Sequence, residues 1–375
     1  MIDFGKRLDK LKDRRQGSRE RTIFESTTMD SVGMESAIKK GIDTRRQEFY
    51  EDLKESDSIK YTIGAMAPVD KQSTEVSISE GNRVADSLIK SLRIRDIFTT
   101  SRLQGSVALN IHIKGHSDVD MLIIEGNTIN IETPRLKHYL PATDLRSMVE
   151  IVQEIRLESE DTLPRNFPKA DIDISGNKSI AMSGGSLQRK VDIVPACWYD
   201  THKYQETNLE SDRGIKIYHR SDHKLLLNLP FTHIKLISDK DDIYRGNLRS
   251  VIRLMKNMIA DMPDYKKTVA KKLSSYDLAS IAYHMDDKLY LPYEMRLGLV
   301  EKTREYLNYL WVNSYSRSLL EVPDKSRKIF DDEDKIKALE VLENEFTALS
   351  KAIAKDLNPY MNEYNPSIIL NKQVA

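Results

Sequence analysis

Two aspartates, Asp118 and Asp120, stand at the start of a short apolar segment that ends at Ile124. Residues 119–124 have the composition of a buried strand, and side chains at positions i and i+2 of a strand project from the same face. Two carboxylates on one face repel each other, and a divalent cation such as Mg²⁺ relieves that repulsion. The Asp-x-Asp pattern alone is weak, because Asp171 and Asp173 repeat it.

A third acid, Asp192, interrupts a second apolar segment, residues 191–194. The hydrophobic pattern there favours an apolar residue, so the aspartate is either a metal ligand or an edge-strand residue that faces water. On a strand next to the first pair it would complete a two-metal site, in which one ion activates an attacking hydroxyl and the other neutralises a leaving pyrophosphate. We therefore predict that Asp118, Asp120 and Asp192 are catalytic and bind metal.

Gly105 and Ser106 precede the first pair of acids. Glycine tolerates a positive φ and lets the backbone approach a phosphate chain closely, while successive amides and a serine hydroxyl can bind phosphate oxygens. Gly-Ser by itself carries little information. Together with Ser117-Asp118-x-Asp120 and a later strand that carries one aspartate, it is a strong indication of a metal-nucleotide site.

The hydrophobic periodicity predicts a mixed α/β half followed by a helical half. The capping box of Ser77 and Glu80 predicts the start of an amphipathic helix over 78–92. Strands are predicted over 97–103, 119–124, 171–174 and 190–194, the last ended by Pro195. Helices are predicted over 34–54, 247–262, 275–285, 294–315 and 336–357.

These patterns predict that the chain is divided into three parts. Residues 1–60 form a helical, charged arm, residues 61–210 the mixed-sheet core, and residues 211–375 a helical C-terminal lobe. Within the arm, residues 5–21 are predicted to be a solvated helix or tail, with a nucleic-acid or partner contact as the alternative.

Composition excludes several classes of protein. The 58 basic residues balance 58 acidic ones, so we expect no strong nucleic-acid binding and no membrane attraction. Arg245, Arg249 and Arg253 are expected to be ordinary solvated helix surface, with a local basic face as the alternative. One cysteine excludes an internal disulfide and a multi-cysteine zinc site. There is no P-loop motif, no bilayer-length apolar run and no signal sequence, which predicts a cytoplasmic protein.

In combination, these motifs resemble the nucleotidyltransferase core of the DNA-polymerase-β superfamily. More closely, they resemble the cGAS/DncV-like nucleotidyltransferases (CD-NTases) of bacterial anti-phage systems and the animal oligoadenylate synthases. The family pattern Gly-Ser-x4-Thr-x-(apolar)-x-Gly-x-Ser-Asp-x-Asp is met from Gly105 to Asp120, except that Ile111 replaces the threonine. The family's third-acid pattern, Asp-(apolar)-(apolar)-Pro-Ala, is met at residues 192–196.

The resemblance implies a polymerase-β-like nucleotidyltransferase core with a mixed sheet, followed by a helical C-terminal lobe. It implies Mg²⁺ as cofactor, two ions, with Mn²⁺ as an alternative. Gln104, Gly105 and Ser106 would bind the nucleotide, Lys256 would hold the donor triphosphate, and Ser275 with Tyr276 would form the base-stacking segment. From the residues alone, Lys256 could equally be a snorkelling surface lysine, and Tyr276 is better explained as a core residue.

The implied function is synthesis of a cyclic or linear oligonucleotide second messenger from ATP or other nucleoside triphosphates, in CBASS-type anti-phage defence. A regulatory or effector protein encoded alongside is the implied partner. Two alternatives remain open: nucleotidyl transfer onto RNA or protein, as in toxin–antitoxin systems, and a non-catalytic nucleotide or RNA sensor.

Overall fold

The computed structural model describes residues 2–16, 48–115 and 117–374, which fold into two compact units. The sheet unit comprises Asp70–Asn110 and Ser117–Ser238. The helical unit comprises the described residues of Met1–Val69, Ile111–His116 and Asp239–Ala375. This division differs from the predicted one, because the residues before 70 pack with the C-terminal helices and the sheet continues beyond residue 210.

The helices and strands follow one another in a mixed order along the chain. The strands are β1 (Thr99–Gln104), β2 (Val119–Glu125), β3 (Asn130–Ile131), β4 (Asp171–Asp173), β5 (Ile180–Ser183), β6 (Val191–Asp200), β7 (Gly214–His219) and β8 (Lys224–Asn228). The helices are α1 (Phe4–Gln16), α2 (Asp57–Met66), α3 (Lys71–Arg93), α4 (Gly105–Ala108), α5 (Met148–Asn166), α6 (His202–Thr207), α7 (Pro230–Ile243), α8 (Asn247–Asp261), α9 (Asp264–Ala270), α10 (Ser275–Tyr283), α11 (Gly298–Val312), α12 (Ser314–Leu319), α13 (Glu333–Leu357) and α14 (Ser367–Leu370).

The sheet is mixed, which confirms the predicted fold class. Its two central strands, β2 and β6, run parallel, and β1 pairs antiparallel with the outer edge of β2. On its other side β6 pairs antiparallel first with β5 and then with β7, and β8 extends the sheet from β7. Strands β7 and β8 were not predicted, so the sheet extends past the predicted boundary near residue 210.

Pro195 lies inside β6, so the prediction that it ends this strand is wrong. Residues 191–193 pair with β5 and residues 196–199 pair with β7. Pro195 falls between these two partners, where its missing N–H removes no bond from either antiparallel ladder. The strand therefore continues to Asp200.

Helix α3 begins at Lys71, and the predicted start at residue 78 is therefore wrong. The cap is Asp70, whose side chain accepts a hydrogen bond from the Ser73 amide at 2.8 Å. Ser77 lies inside the helix and donates to the Ser73 carbonyl at 3.0 Å, while Glu80 pairs with Arg83. The two residues of the apparent capping box thus make other bonds.

Helix α3 packs directly on the strand that carries the first two acids. Its buried residues Val84 and Leu88 join Val119 and Met121 of β2 in one apolar core. A side chain at Gly81 would place its Cβ 2.7 Å from Val119 Cγ1 and 2.9 Å from Met121 Sδ. The glycine therefore permits the close approach that fixes the start of β2.

Helix α1 is a packed part of the helical unit, and the prediction of a solvated helix or tail is wrong for residues 5–16, while residues 17–21 lie outside the described residues. Phe4, Leu8 and Leu11 are buried. Arg7 forms an ion pair with the fully buried Glu345 of α13. This charged segment is buried because its partners lie far away in the sequence, where local charge patterns do not reveal them.

The charges of α1 also reach α8. Arg14 pairs with Asp261, and its guanidinium donates to Asn257 Oδ1 at 2.8 Å. Tyr61 of α2 donates to Asp261 Oδ2 at 3.1 Å, and burial raises the pKa of this tyrosine. Helices α1, α2 and α8 therefore share one buried polar network.

The long helices predicted in the C-terminal half are present, with shifted ends. The predicted helix over 294–315 is divided, because a 3₁₀ turn (Tyr293–Met295) precedes α11 and α12 follows it. The predicted helix over 34–54 lies mostly outside the described residues, and its described part, residues 48–54, is turn and bend. No helix among the described residues has the length and apolar character needed to cross a membrane.

Candidate active site

A row of polar residues crosses three adjacent strands of the sheet unit. Gln104, the last residue of β1, is paired with Asp120 of β2, and Asp120 is paired with Asp192 of β6. Neighbouring strands lie about 4.8 Å apart, and directly paired residues project from the same face. The strand register thus brings two of the predicted acids and the predicted nucleotide-binding glutamine side by side.

The third acid, Asp118, stands just before β2 begins and acts on Asp192 through its charge. Partial burial, followed by the negative charge of Asp118, raises the pKa of Asp192 above that of an ordinary aspartate. The hydroxyl of Ser179 donates to Asp192 Oδ2 at 3.1 Å and opposes this shift. Asp118 and Asp192 therefore interact electrostatically.

Gly105 adjoins the carboxylate of Asp120. Its φ is +74°, and a Cβ at this position would lie 2.1 Å from Asp120 Oδ2, so glycine alone fits. Gly105 and Ser106 open the short helix α4, whose N-cap residue Gln104 makes no side-chain cap bond. Amides in a first helical turn lack intrahelical acceptors, so those of Gly105 and Ser106 are suited to bind phosphate oxygens.

The donor set fits a hard divalent cation, but the carboxylates do not converge. Carboxylates are the oxygen ligands that Mg²⁺ and Mn²⁺ prefer, and the repulsion that Asp118 exerts on Asp192 is what a cation would relieve. Throughout residues 2–16, 48–115 and 117–374, however, no three His, Cys, Asp or Glu side chains are grouped so that they could hold an ion. The predicted meeting of the three carboxylates is therefore not formed. Asp120 lies beside Gly105, and Asp192 accepts from Ser179.

Lys256 lies in the helical unit, on α8, where only 8% of its surface is exposed. Neighbouring residues therefore cover most of this side chain. Two nearby residues of α8 bond this helix to α2. Arg253 Nε donates to the Met66 carbonyl at 2.7 Å, and Asn257 Nδ2 donates to the Ala65 carbonyl at 2.8 Å.

Two of the three arginines that follow residue 244 are held by contacts within the helical unit, while Arg245 is exposed in the turn before α8. Arg253 is buried, and burial lowers its pKa to about 10. Arg249 pairs with Asp241 at 2.7 Å. These two arginines therefore form neither a solvated helix surface nor a basic binding face.

Tyr276 lies in the first turn of α10, also in the helical unit. Its neighbour Ser275 is exposed, and the helix is capped by Ser274 together with Asp277. The ring of Tyr276 is half-buried and its hydroxyl donates to Asp324. The alternative of a simple core residue does not account for this polar partner.

Sequence reasoning missed the residues that support the predicted ones. Ser179 bonds to Asp192 from the turn before β5, and Asp324 bonds to Tyr276 across 48 residues of chain. Neither stands in a recognisable motif. The pairing of β5 with β6 is the one signal that could have placed Ser179 near the acids.

Comparison with known proteins gives consistent matches over most of the chain. Residues 235–352 match the model of the cGAS/DncV-like nucleotidyltransferase C-terminal helical domain. A cyclic dinucleotide synthase CdnE from Yersinia aleksiciae is 38% identical over 333 residues, covering 88% of this chain and 86% of that protein. A c-di-GMP synthase from a Lachnospiraceae bacterium is 29% identical over 322 residues, covering 78% of this chain and 87% of that protein.

A solved structure extends the match to the fold. The STING-associated CdnE c-di-GMP synthase from Capnocytophaga granulosa superposes with a TM-score of 0.68 and 26% identity, covering 94% of this chain and 99% of that one. The resemblance seen in the motifs from Gly105 to Ala196 is thereby confirmed. The chain belongs to the cGAS/DncV-like nucleotidyltransferases, the CD-NTase family.

Proposed function

We propose that this nucleotidyltransferase joins two nucleoside triphosphates into a cyclic dinucleotide and that Asp118, Asp120 and Asp192 are its catalytic acids. The observation that carries the proposal is the pairing of Asp120 with Asp192 on adjacent parallel strands, with Asp118 close enough to raise the pKa of Asp192. Carboxylates in this position would hold a divalent cation, whose positive charge binds the negative phosphates.

The reaction is attack of a ribose hydroxyl oxygen on the α-phosphorus of a second triphosphate. A bond from that oxygen to phosphorus forms, the bond to the β-phosphate breaks, and pyrophosphate leaves. Asp192 accepts the hydroxyl proton at a carboxylate oxygen. The amides of Gly105 and Ser106 bind the β- and γ-phosphates, with Gln104 beside them. Repetition of the step on the linear product closes the ring.

Asp118, Asp120 and Asp192 would hold Mg²⁺, or Mn²⁺ in its place. When bound, the metal supplies positive charge that activates the hydroxyl and neutralises the leaving pyrophosphate.

Two residues of the helical unit complete the proposal. Lys256 contributes a point charge for the donor triphosphate, since an ammonium group binds phosphate without a fixed orientation. Tyr276, with Ser275 beside it, stacks on the donor base, an interaction worth roughly 1–3 kcal/mol per base.

The names of the relatives support a dinucleotide product and guanine nucleotides as substrates. One relative is a cyclic dinucleotide synthase and two others are c-di-GMP synthases. A c-di-GMP synthase of similar structure is described as STING-associated, which supports a second messenger read by an effector protein in anti-phage defence.

The test is incubation of the purified protein with each radiolabelled triphosphate, alone and in mixtures, in the presence of Mg²⁺. The proposal predicts a small, acid-soluble product that resists phosphatase and that the Asp120→Asn variant does not make. Label on added RNA or on protein would instead support the toxin–antitoxin alternative. Nucleotide binding without any turnover would support the sensor alternative.

A further inference from the structure

A polar cluster in the helical unit surrounds Tyr276. The tyrosine hydroxyl donates to Asp324 Oδ2, and the guanidinium carbon of Arg327 lies 5.7 Å from the centre of the tyrosine ring. Both partners belong to one turn, residues 321–328, which lies far from Tyr276 in the chain. This 321–328 turn is not part of any motif that the sequence analysis used.

The 321–328 turn is held in shape by its own backbone. The amide of Val322 donates to the Arg327 carbonyl at 3.0 Å, and the Ile329 amide donates to the Leu320 carbonyl at 2.9 Å. Val322 and Ile329 are buried and anchor the base of the turn. The backbone of the turn is therefore fixed, and its polar residues contact α10.

Asp324 is oriented from both sides. One carboxylate oxygen accepts the Ser326 amide at 2.9 Å, and the other accepts the Tyr276 hydroxyl. Because the turn fixes the first oxygen, the second is a stationary acceptor. It holds the end of the tyrosine side chain in one place.

Arg327 fixes the ring from its face. Its guanidinium also pairs with the buried Asp277 at 2.7 Å, and Asp277 forms the capping box of α10 together with Ser274. The cation over the ring is thus anchored to the same helix turn that carries Tyr276. A hydroxyl bond at one end and a cation over one face together restrict the ring to a single orientation.

A ring that is already oriented loses less conformational entropy when a nucleobase stacks on it than a freely rotating ring does. We propose that Asp324 is a positioning residue that orients Tyr276 for stacking on the donor nucleobase, which makes the 321–328 turn part of the nucleotide-binding apparatus. This inference rests on the stacking role of Tyr276 in the proposed function.

The experiment is a double-mutant cycle on nucleotide affinity. Binding of GTP and ATP, each with Ca²⁺ to prevent turnover, is measured by calorimetry for the wild type, Tyr276→Phe, Asp324→Ala and the double variant. The kcat and KM values with Mg²⁺ are measured in parallel by pyrophosphate release. Thermal unfolding confirms that each variant is folded.

Each single variant should weaken binding by roughly 3- to 10-fold, the cost of ordering one side chain on binding. The double variant should bind no more weakly than either single variant, because both remove the same bond. KM should rise while kcat stays within about 2-fold, because stacking contributes to nucleotide binding without touching the reacting atoms. Asp324→Asn, which keeps an acceptor oxygen, should bind like the wild type.

A matched control comes from the same turn. Glu321 pairs with Lys328 at 3.1 Å and does not bond to Tyr276, so Glu321→Ala should leave affinity unchanged. Affinity losses that add in the double variant, an equal loss in Glu321→Ala, or full affinity in Asp324→Ala would overturn the positioning role.

The Tyr276→Ala variant tests the stacking role of Tyr276 separately from the positioning role of Asp324. A loss of roughly 5- to 150-fold in affinity supports stacking. With that loss, an unchanged Asp324→Ala variant overturns this inference alone. Full affinity in Tyr276→Ala overturns both the inference and the stacking role, while leaving the catalytic role of the acids to its own test.

Discussion

Replacing Gly105 by alanine tests whether the position of the Asp120 carboxylate sets the rate of catalysis. Gly105 has φ +74°, and the new Cβ would lie 2.1 Å from Asp120 Oδ2. Real Cβ contacts are essentially never closer than 3.0 Å, so the carboxylate must move by about 0.9 Å. The carboxylate is the end of a rotatable side chain, so it can move without unfolding the sheet.

Gly246 provides the matched control. Its φ is +87°, and a Cβ there would meet nothing within 4 Å. Both alanine variants carry the cost of a left-handed backbone, roughly 1–2 kcal/mol, so their losses of unfolding free energy should be similar. Only Gly105→Ala displaces Asp120. A misplacement of about 1 Å at a reacting centre costs roughly 100-fold in rate.

The assay is pyrophosphate release with saturating triphosphates and Mg²⁺, together with chemical unfolding of both variants. We expect Gly105→Ala to be about 100-fold slower than Gly246→Ala, with similar losses of unfolding free energy. Equal rates in the two variants would refute the reasoning, because they would mean that catalysis tolerates displacement of the Asp120 carboxylate.

Three further substitutions have outcomes that the structure predicts. Asp192→Asn should lower the rate by roughly 100-fold or more, because a metal ion supplies several kcal/mol of catalysis. The pKa of Asp192 is raised, so its charged form disfavours the folded state at neutral pH. The melting temperature of Asp192→Asn should therefore equal or exceed that of the wild type, and a lower melting temperature would contradict this. Arg14→Met should cost about 3–5 kcal/mol of unfolding free energy, because the buried Asp261 would lose its ion-pair partner. The exposed Lys6→Met should change the unfolding free energy by less than about 0.5 kcal/mol in the same denaturant titration. Lys256→Met should raise KM for triphosphate by roughly 10-fold or more, the value of one charge-assisted contact, and an unchanged KM would exclude its phosphate role.

The two central strands of the sheet could be predicted because each is marked by a pattern within its own short segment of sequence. The apolar segments at 119–124 and 191–194, each carrying an aspartate that breaks the pattern, predicted both central strands. Parallel pairing then placed Asp120 beside Asp192. The register of this pairing was not predicted and is seen only in the structure.

Features that depend on distant partners could not be predicted from the same signals. Asp70 and Ser77 both offer a helix cap, and local sequence does not decide between them. Pro195 looks like a strand end until the change of partner from β5 to β7 is known. Arg14 looks solvated until Asp261, 247 residues away, is placed against it. In each case a tertiary contact overrides a local preference.

Direct measurement of metal binding tests the central claim that Asp118, Asp120 and Asp192 form one cation site. Mn²⁺ is titrated into the wild type and into the Asp118→Asn/Asp120→Asn double variant, each with a non-hydrolysable GTP analogue, and bound Mn²⁺ is counted by electron paramagnetic resonance against a nucleotide-only control. The account predicts that the wild type binds Mn²⁺ beyond that held by the nucleotide alone and that the folded double variant does not. Equal Mn²⁺ binding by the two proteins would contradict it.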